Sequence, residues 1–207
     1  MRTDNEHKVH CSDEIVSVAT DIPRESLFDD TKQVPHDEIL ISQRTNHADF
    51  WNKYRIEKVP ADGHCFIHAV SASLSYQLAD HKYVTNDLLL HLVEKEVIDN
   101  LDDYAIYLEN YLYLSGQSVN TDKKAMLMDQ LYGYITDYKW ATEFGHMVPE
   151  LVSKCLNVNI VIVSKSETTD DLQFTCAPGA ASTEYVYVYF HSHHYDSLSC
   201  IPSPSNY

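Results

Sequence analysis

Two short segments of this 207-residue chain hold residues whose types and spacing could do chemistry. The first is Asp62-Gly63-His64-Cys65-Phe66-Ile67-His68-Ala69. It sets a cysteine where a glycine-containing loop meets the start of a helix. The first amides of a helix have no partner within it, and its dipole is positive at that end. A thiolate there is stabilised, which predicts a lowered pKa and a better nucleophile at neutral pH. The same amides, with those of the Asp62-Gly63 loop, could hydrogen-bond a developing oxyanion. Gly63 would let the backbone approach a substrate carbonyl closely. The plainer alternative makes Cys65 a small buried apolar residue of a helix. Cys155 falls mid-helix, and Cys176 and Cys200 fall at strand ends, so these three are assigned to structure.

The second segment is His191-Ser192-His193-His194-Tyr195-Asp196-Ser197-Leu198. In an extended strand residues i and i+2 share a face, so His194 and Asp196 project together. The carboxylate can then orient the imidazole. A cysteine nucleophile needs a thiol, an imidazole base and a polar group that fixes the imidazole tautomer. Two alternatives stand beside this. One is a solvent-exposed, histidine-rich turn. The other is a metal site from His191, His193 and either His64 or His68, but the spacing matches no established zinc pattern and no CxxC pair is present. No metal and no cofactor are expected.

Other elements must position these segments. Lys58-Val59-Pro60-Ala61-Asp62-Gly63 reads as a loop. Cys65 to Leu78 reads as a helix, with Phe66, Ala69, Val70, Ser73, Leu74 and Gln77 at helical spacing. Further helices are predicted over Thr85–Leu101 (capped by Thr85 or Asn86), Asp102–Leu114, Asp122 to about Tyr138, and Phe144–Leu156, with Pro149 marking an early turn or the start of the last. The period then switches to two, and strands are predicted over Asn159–Val163, Leu172–Thr175, Glu184–Phe190 and Tyr195–Cys200. In the third of these Val186 and Val188 point one way, and Tyr185, Tyr187 and Tyr189 the other. Helices first and strands later imply an α+β domain, with helices packed on a small sheet. Residues 1–49 read as an acidic, partly ordered N-terminal extension, and residues 50–207 as the catalytic-sized domain.

Composition narrows the functional classes. There are 31 acidic and 15 basic residues, a net charge of −16. Phosphate binding and polybasic membrane attachment both need clustered Lys and Arg, so neither nucleic acid nor membrane is expected as a partner. Residues 1–49 hold 11 acidic and 5 basic residues, a net of −6, which leaves −10 for the remainder. No secretory signal and no apolar run of transmembrane length are visible. Five cysteines without a CxxC pair suit free thiols in a reducing compartment, so a cytoplasmic or nuclear location is expected. A monomer is expected.

Taken together, the two segments resemble the ovarian-tumour (OTU) family of cysteine deubiquitinases. That family's signature is an Asp-Gly-x-Cys box opening a helix, then a late His followed by an aromatic residue and Asp or Asn. Here these are Asp62-Gly63-His64-Cys65-Phe66 and His194-Tyr195-Asp196-Ser197-Leu198. Between them, Trp140 leads into a helix with Glu150-Leu151, which feeds the strand Asn159–Val163. The resemblance covers roughly residues 50–203. It implies an OTU-like, papain-type cysteine protease fold with a mostly antiparallel or mixed sheet. It implies that Cys65 is the nucleophile, His194 the general base and acid, and Asp196 the residue orienting His194. The backbone of Asp62, His64 and Cys65 would form the oxyanion hole. The family usually carries Asn where His64 stands, which puts any side-chain role at that position in doubt. Partners implied are ubiquitin or polyubiquitin chains, or a ubiquitin-like modifier, with a host cytosol as the location for a viral or bacterial source. A ubiquitin-binding module with a weakened site, and a thiol peptidase for another modifier, remain as alternatives. The acidic residues between Asp80 and Glu109 are a candidate surface for steering the basic tail of ubiquitin; a plain solvated helix face is the rival reading.

Overall fold

A computed structural model of the chain describes residues 47–78, 81, 83–114, 122–166, 169, 171–179 and 182–202. Its elements are α1 (His47–Lys53), β1 (Tyr54–Glu57), α2 (Cys65–Gln77), α3 (Asn86–Asp99), α4 (Leu101–Leu114), α5 (Lys123–Asp137), α6 (Glu143–Leu156), β2 (Asn159–Lys165), β3 (Leu172–Ala177), β4 (Tyr185–His191) and β5 (His194–Cys200). The five strands form one sheet in the order β1-β5-β4-β2-β3. β4 runs parallel to β2, and the other three pairings are antiparallel. The expected α+β class with a small mixed sheet is what the chain adopts.

Alternation in β4 sends its two sets of side chains to opposite layers. Val186 and Val188 join Phe66, Val70, Leu74, Val93, Leu131, Phe144, Val148 and Tyr195 in the helical core. Tyr187 faces the other way, into a second cluster with Phe50, Tyr54, Val161, Val163, Phe174 and Leu198. That second layer is held by α1, whose Phe50 is fully buried and stacks on Tyr54 at 4.8 Å between ring centres. Burying such a ring contributes roughly 2–3 kcal/mol, so α1 is a structural part of the sheet's covering.

The predicted helices and strands are all present, with ends shifted by a few residues. Thr85 caps α3 by accepting from the Leu88 N–H. Pro149 is a departure, since it lies inside α6 rather than at its start. It has no N–H to give the Gly145 carbonyl four residues back, and α6 continues through that gap. The elements α1 and β1 were not anticipated. α1 spans residues 49 and 50, where the sequence suggested a change of character; residues 1–46 lie outside the described residues. Cys65, Cys155 and Cys176 are free thiols.

Candidate active site

The loop before α2 is organised by one carboxylate. Asp62 Oδ1 accepts the His64 N–H at 2.8 Å, Oδ2 accepts from His68 Nε2 at 3.0 Å, and the Asp62 carbonyl accepts the Cys65 N–H at 3.3 Å. Burial would raise the Asp62 pKa, but the His68 and His64 hydrogen bonds hold it below the ordinary carboxylate range. Gly63 is required by a close approach, though not the anticipated one. A Cβ there would stand 1.7 Å from the Tyr138 carbonyl oxygen. That space holds α5's last turn, not a substrate. Tyr138 caps α5 in the left-handed conformation, at φ 58°.

His64 is buried, and its ring donates from Nε2 to the Tyr134 carbonyl at 2.6 Å, with Tyr134 and Tyr138 packed against it. Its side chain therefore ties the loop to the C-terminal turn of α5. At that end of a helix the carbonyls lack intrahelical partners and attract a donor.

Cys65 opens α2, whose N-cap makes no side-chain hydrogen bond. The backbone amides of Tyr195, Phe66 and Cys65 itself lie near enough to its sulfur to favour the thiolate. Tyr195 follows His194 in β5, so the thiol lies against the strand that carries the predicted base. The residue is only 5% exposed. Burial pushes its pKa above the ordinary thiol value, and the nearby Asp62 charge adds to this; the amides offset only part. The expectation of a lowered pKa from the loop–helix junction is thus reversed, because desolvation of a buried anion outweighs three amides.

His194 and Asp196 are brought together as the strand period requires: His194 Nε2 donates to Asp196 Oδ1 at 3.2 Å. That bond leaves Nδ1 for another partner. Asp196 is fully buried and collects three further donors. Val59 N–H reaches Oδ1 at 3.3 Å, and Lys58 Nζ and His191 Nε2 reach Oδ2 at 2.6 and 2.7 Å. Burial alone would raise this carboxyl, yet Lys58, His191 and the Val59 amide hold it down at about 2. Lys58 and His191 were not assigned to this carboxylate from sequence. The missing signal was the turn. Ser192 and His193 both have positive φ, 47° and 62°, and His191 pairs directly with His194. This is a two-residue hairpin of the kind that favours Asn-Gly, built without either residue. It puts His191 opposite His194, on the face of Asp196. His193 sits exposed at the tip. No cluster of three or more metal-ligating side chains occurs among the described residues.

The helix bearing Cys65 is pinned to the strands by two polar residues on its own row. Cys65, Ala69, Ser73 and Gln77 are spaced by four and lie one above the other. Ser73 Oγ accepts the Leu198 N–H at 3.0 Å. Buried Gln77 accepts the Tyr187 N–H at 2.8 Å and donates to the Tyr187 and Leu198 carbonyls at 2.9 and 2.7 Å. β4 and β5 pair from Val188↔Ser197 to the turn. Beyond that point the Gln77 carboxamide stands between them.

Neither a protein-family model nor a curated protein sequence matches the chain. Solved structures do. The viral OTU domain protease from Dera Ghazi Khan virus superposes with a TM-score of 0.51 at 19% identity, over 78% of this chain and 88% of that one. The fold is that of an OTU domain. The OTU domain protease from Farallon virus (TM-score 0.47, 19% identity, 72% and 86% covered) and the OTU domain of OTUD1 (0.48, 17%, 70% and 85%) are similar at a lower level. In this OTU fold the Asp-Gly-His-Cys box opens α2 and the His-Tyr-Asp segment opens β5, as the resemblance implied.

Proposed function

We propose that this protein is a cysteine-type deubiquitinase that cleaves the peptide or isopeptide bond after the C-terminal glycine of ubiquitin. The observation that carries this reading is the thiol of Cys65 at an uncapped helix start, on a helix packed against β5, the strand whose His194 is held by a buried carboxylate. The OTU fold and the two motifs supply the substrate class.

Because burial raises the thiol's pKa, the thiolate forms by transfer of its proton to His194 rather than by prior ionisation. Nδ1 takes that proton, since Nε2 is committed to Asp196. The sulfur attacks the carbonyl carbon and the tetrahedral oxyanion collapses to a thioester. The leaving amine departs with the proton from His194, and water deprotonated by His194 then releases ubiquitin. Of the proposed oxyanion donors, the His64 N–H is engaged by the Asp62 carboxylate at 2.8 Å. The Cys65 N–H makes a long 3.3 Å bond to the Asp62 carbonyl and is the more readily exchanged. The Asp62 N–H is the third.

The acidic α3–α4 surface contributes little steering in this reading. Glu96 pairs with Lys154, Asp99 with Lys95, Asp102 with Lys124 and Glu109 with Lys123. Those internal pairs cancel much of the field a basic tail would feel.

The test uses ubiquitin bearing an electrophile at its C-terminus. Covalent capture by the wild type, lost in Cys65→Ala and in His194→Ala, is the expected result. No capture by a folded wild type overturns the ubiquitin reading; capture by another modifier in its place redirects it.

A further inference from the structure

We infer that His191, together with Lys58, is a positioning residue that holds Asp196 in the orientation His194 needs. The inference rests on the thiol-protease reading and adds two residues to its machinery. A carboxylate can turn about its Cβ–Cγ bond, and its two oxygens are then interchangeable. Here they are made different. Oδ2 is closed by Lys58 at 2.6 Å and His191 at 2.7 Å, while Oδ1 takes Val59 N–H at 3.3 Å and His194 at 3.2 Å. The bonds on Oδ2 are the shorter, so they set the plane of the group and His194 takes the oxygen that is left. Full burial of Asp196 removes water as a substitute for any of these donors.

The titratable groups facing Asp196 are Lys58 from the segment after β1, His191 at the end of β4, and His194 on β5 itself. Tyr189 stacks on the His191 ring at 5.3 Å and fixes its plane. Two features separate the roles of the two imidazoles. His191 Nε2 lies 3.3 Å from the Lys58 ammonium as well as 2.7 Å from the carboxylate. With Nε2 given to the carboxylate on one side and closed by the ammonium on the other, His191 is placed as a fixed donor. His194, in contrast, precedes the residue whose amide faces the Cys65 sulfur. Lys58 also shares the carboxylate's charge, so it tempers the support Asp196 gives to the imidazolium of His194.

The test reads Cys65 directly. Alkylation of Cys65 by iodoacetamide is followed against pH, and turnover of a fluorogenic ubiquitin C-terminal amide is followed in parallel. His191→Phe keeps the ring on Tyr189 and deletes the N–H. Its expected effect is a fall of about tenfold in kcat with KM unchanged, the worth of one charge-assisted hydrogen bond, and an equal loss of alkylation below neutral pH. His191→Gln, which still donates, recovers most of both. Lys58→Met, which removes the other bond on Oδ2, lowers both in the same direction. A His191→Phe profile identical to wild type overturns the inference. So does loss of reactivity in His191→Phe that His194→Phe does not share, which would make His191 the base. If ubiquitin is not a substrate the turnover arm is silent, while the alkylation arm still decides.

Discussion

Replacing Gln77 by Met tests how the helix that begins with Cys65 is seated. Met preserves the length and much of the volume of the side chain, so little cavity is made. What it removes is a carboxamide that satisfies the Tyr187 N–H, the Tyr187 carbonyl and the Leu198 carbonyl, all inside the fold. Each buried backbone group left without a partner costs about 1–3 kcal/mol, and a carbonyl tends to the lower end. Three such groups give about 4 kcal/mol, a large share of the roughly 5–15 kcal/mol that stabilises a domain. In urea, at about 2 kcal/mol per M for a domain of this size, the midpoint should fall by about 2 M with the slope unchanged. Gln77→Glu adds a pH signature. At neutral pH a carboxylate would face two carbonyls, so its pKa in the fold is raised. A raised pKa contributes stability that is present below the unfolded value of about 4.3 and is lost as pH rises through the folded one. The Glu variant should therefore recover toward wild type on acidification, when its O–H can donate to one carbonyl. A Met variant within about 0.5 kcal/mol of wild type would refute the reasoning, since β4 and β5 would then close on each other without help.

Three further outcomes follow from the site. Gly63→Ala drives a Cβ into the Tyr138 carbonyl, so it should cost several-fold or more in Cys65 alkylation rate and lower the melting temperature, both measured on purified protein. Ser192→Asn with His193→Gly relieves two left-handed residues in the hairpin and should add about 1 kcal/mol of stability in the same urea assay, with turnover kept. Asp196 is held at about 2, so its contribution to stability is present above its unfolded value of about 3.9 and lost as pH falls toward 2. Asp196→Asn should flatten the stability curve across that window, and an undiminished slope there would count against the four-donor arrangement.

How much of this was legible in the sequence depends on the range of each cause. The faces of α2, α3 and β4 were readable, because burial repeats at the local period. The pairing of His194 with Asp196 was readable for the same reason, since it lies within one strand. Pro149 was misread because its tolerance depends on tertiary packing around α6. The strand β1 escaped notice because four residues carry little pattern and its partner is β5, far along the chain. The raised pKa of Cys65 depends on how deeply β5 and α5 enclose it, which a loop–helix junction does not state. His191 was separated from Asp196 by a turn whose two residues, Ser192 and His193, are not the Asn-Gly that would have announced a two-residue hairpin and its register.

The pairing of β1 with β5 also bears on how the protein comes into being. Tyr54 meets Cys200, and Lys58 meets Asp196, across almost the whole described chain. Contacts of such high sequence separation close late and slowly. During synthesis Cys65 and its loop emerge first, while the imidazole, the carboxylate and the strand that carries them come last. Until β5 has emerged the Cys65 thiol lacks the Tyr195 amide, the His194 imidazole and the side chains that bury it. If the proposed reading holds, chemical competence would arrive only with the docking of β5, and topology alone would delay activity in a nascent chain.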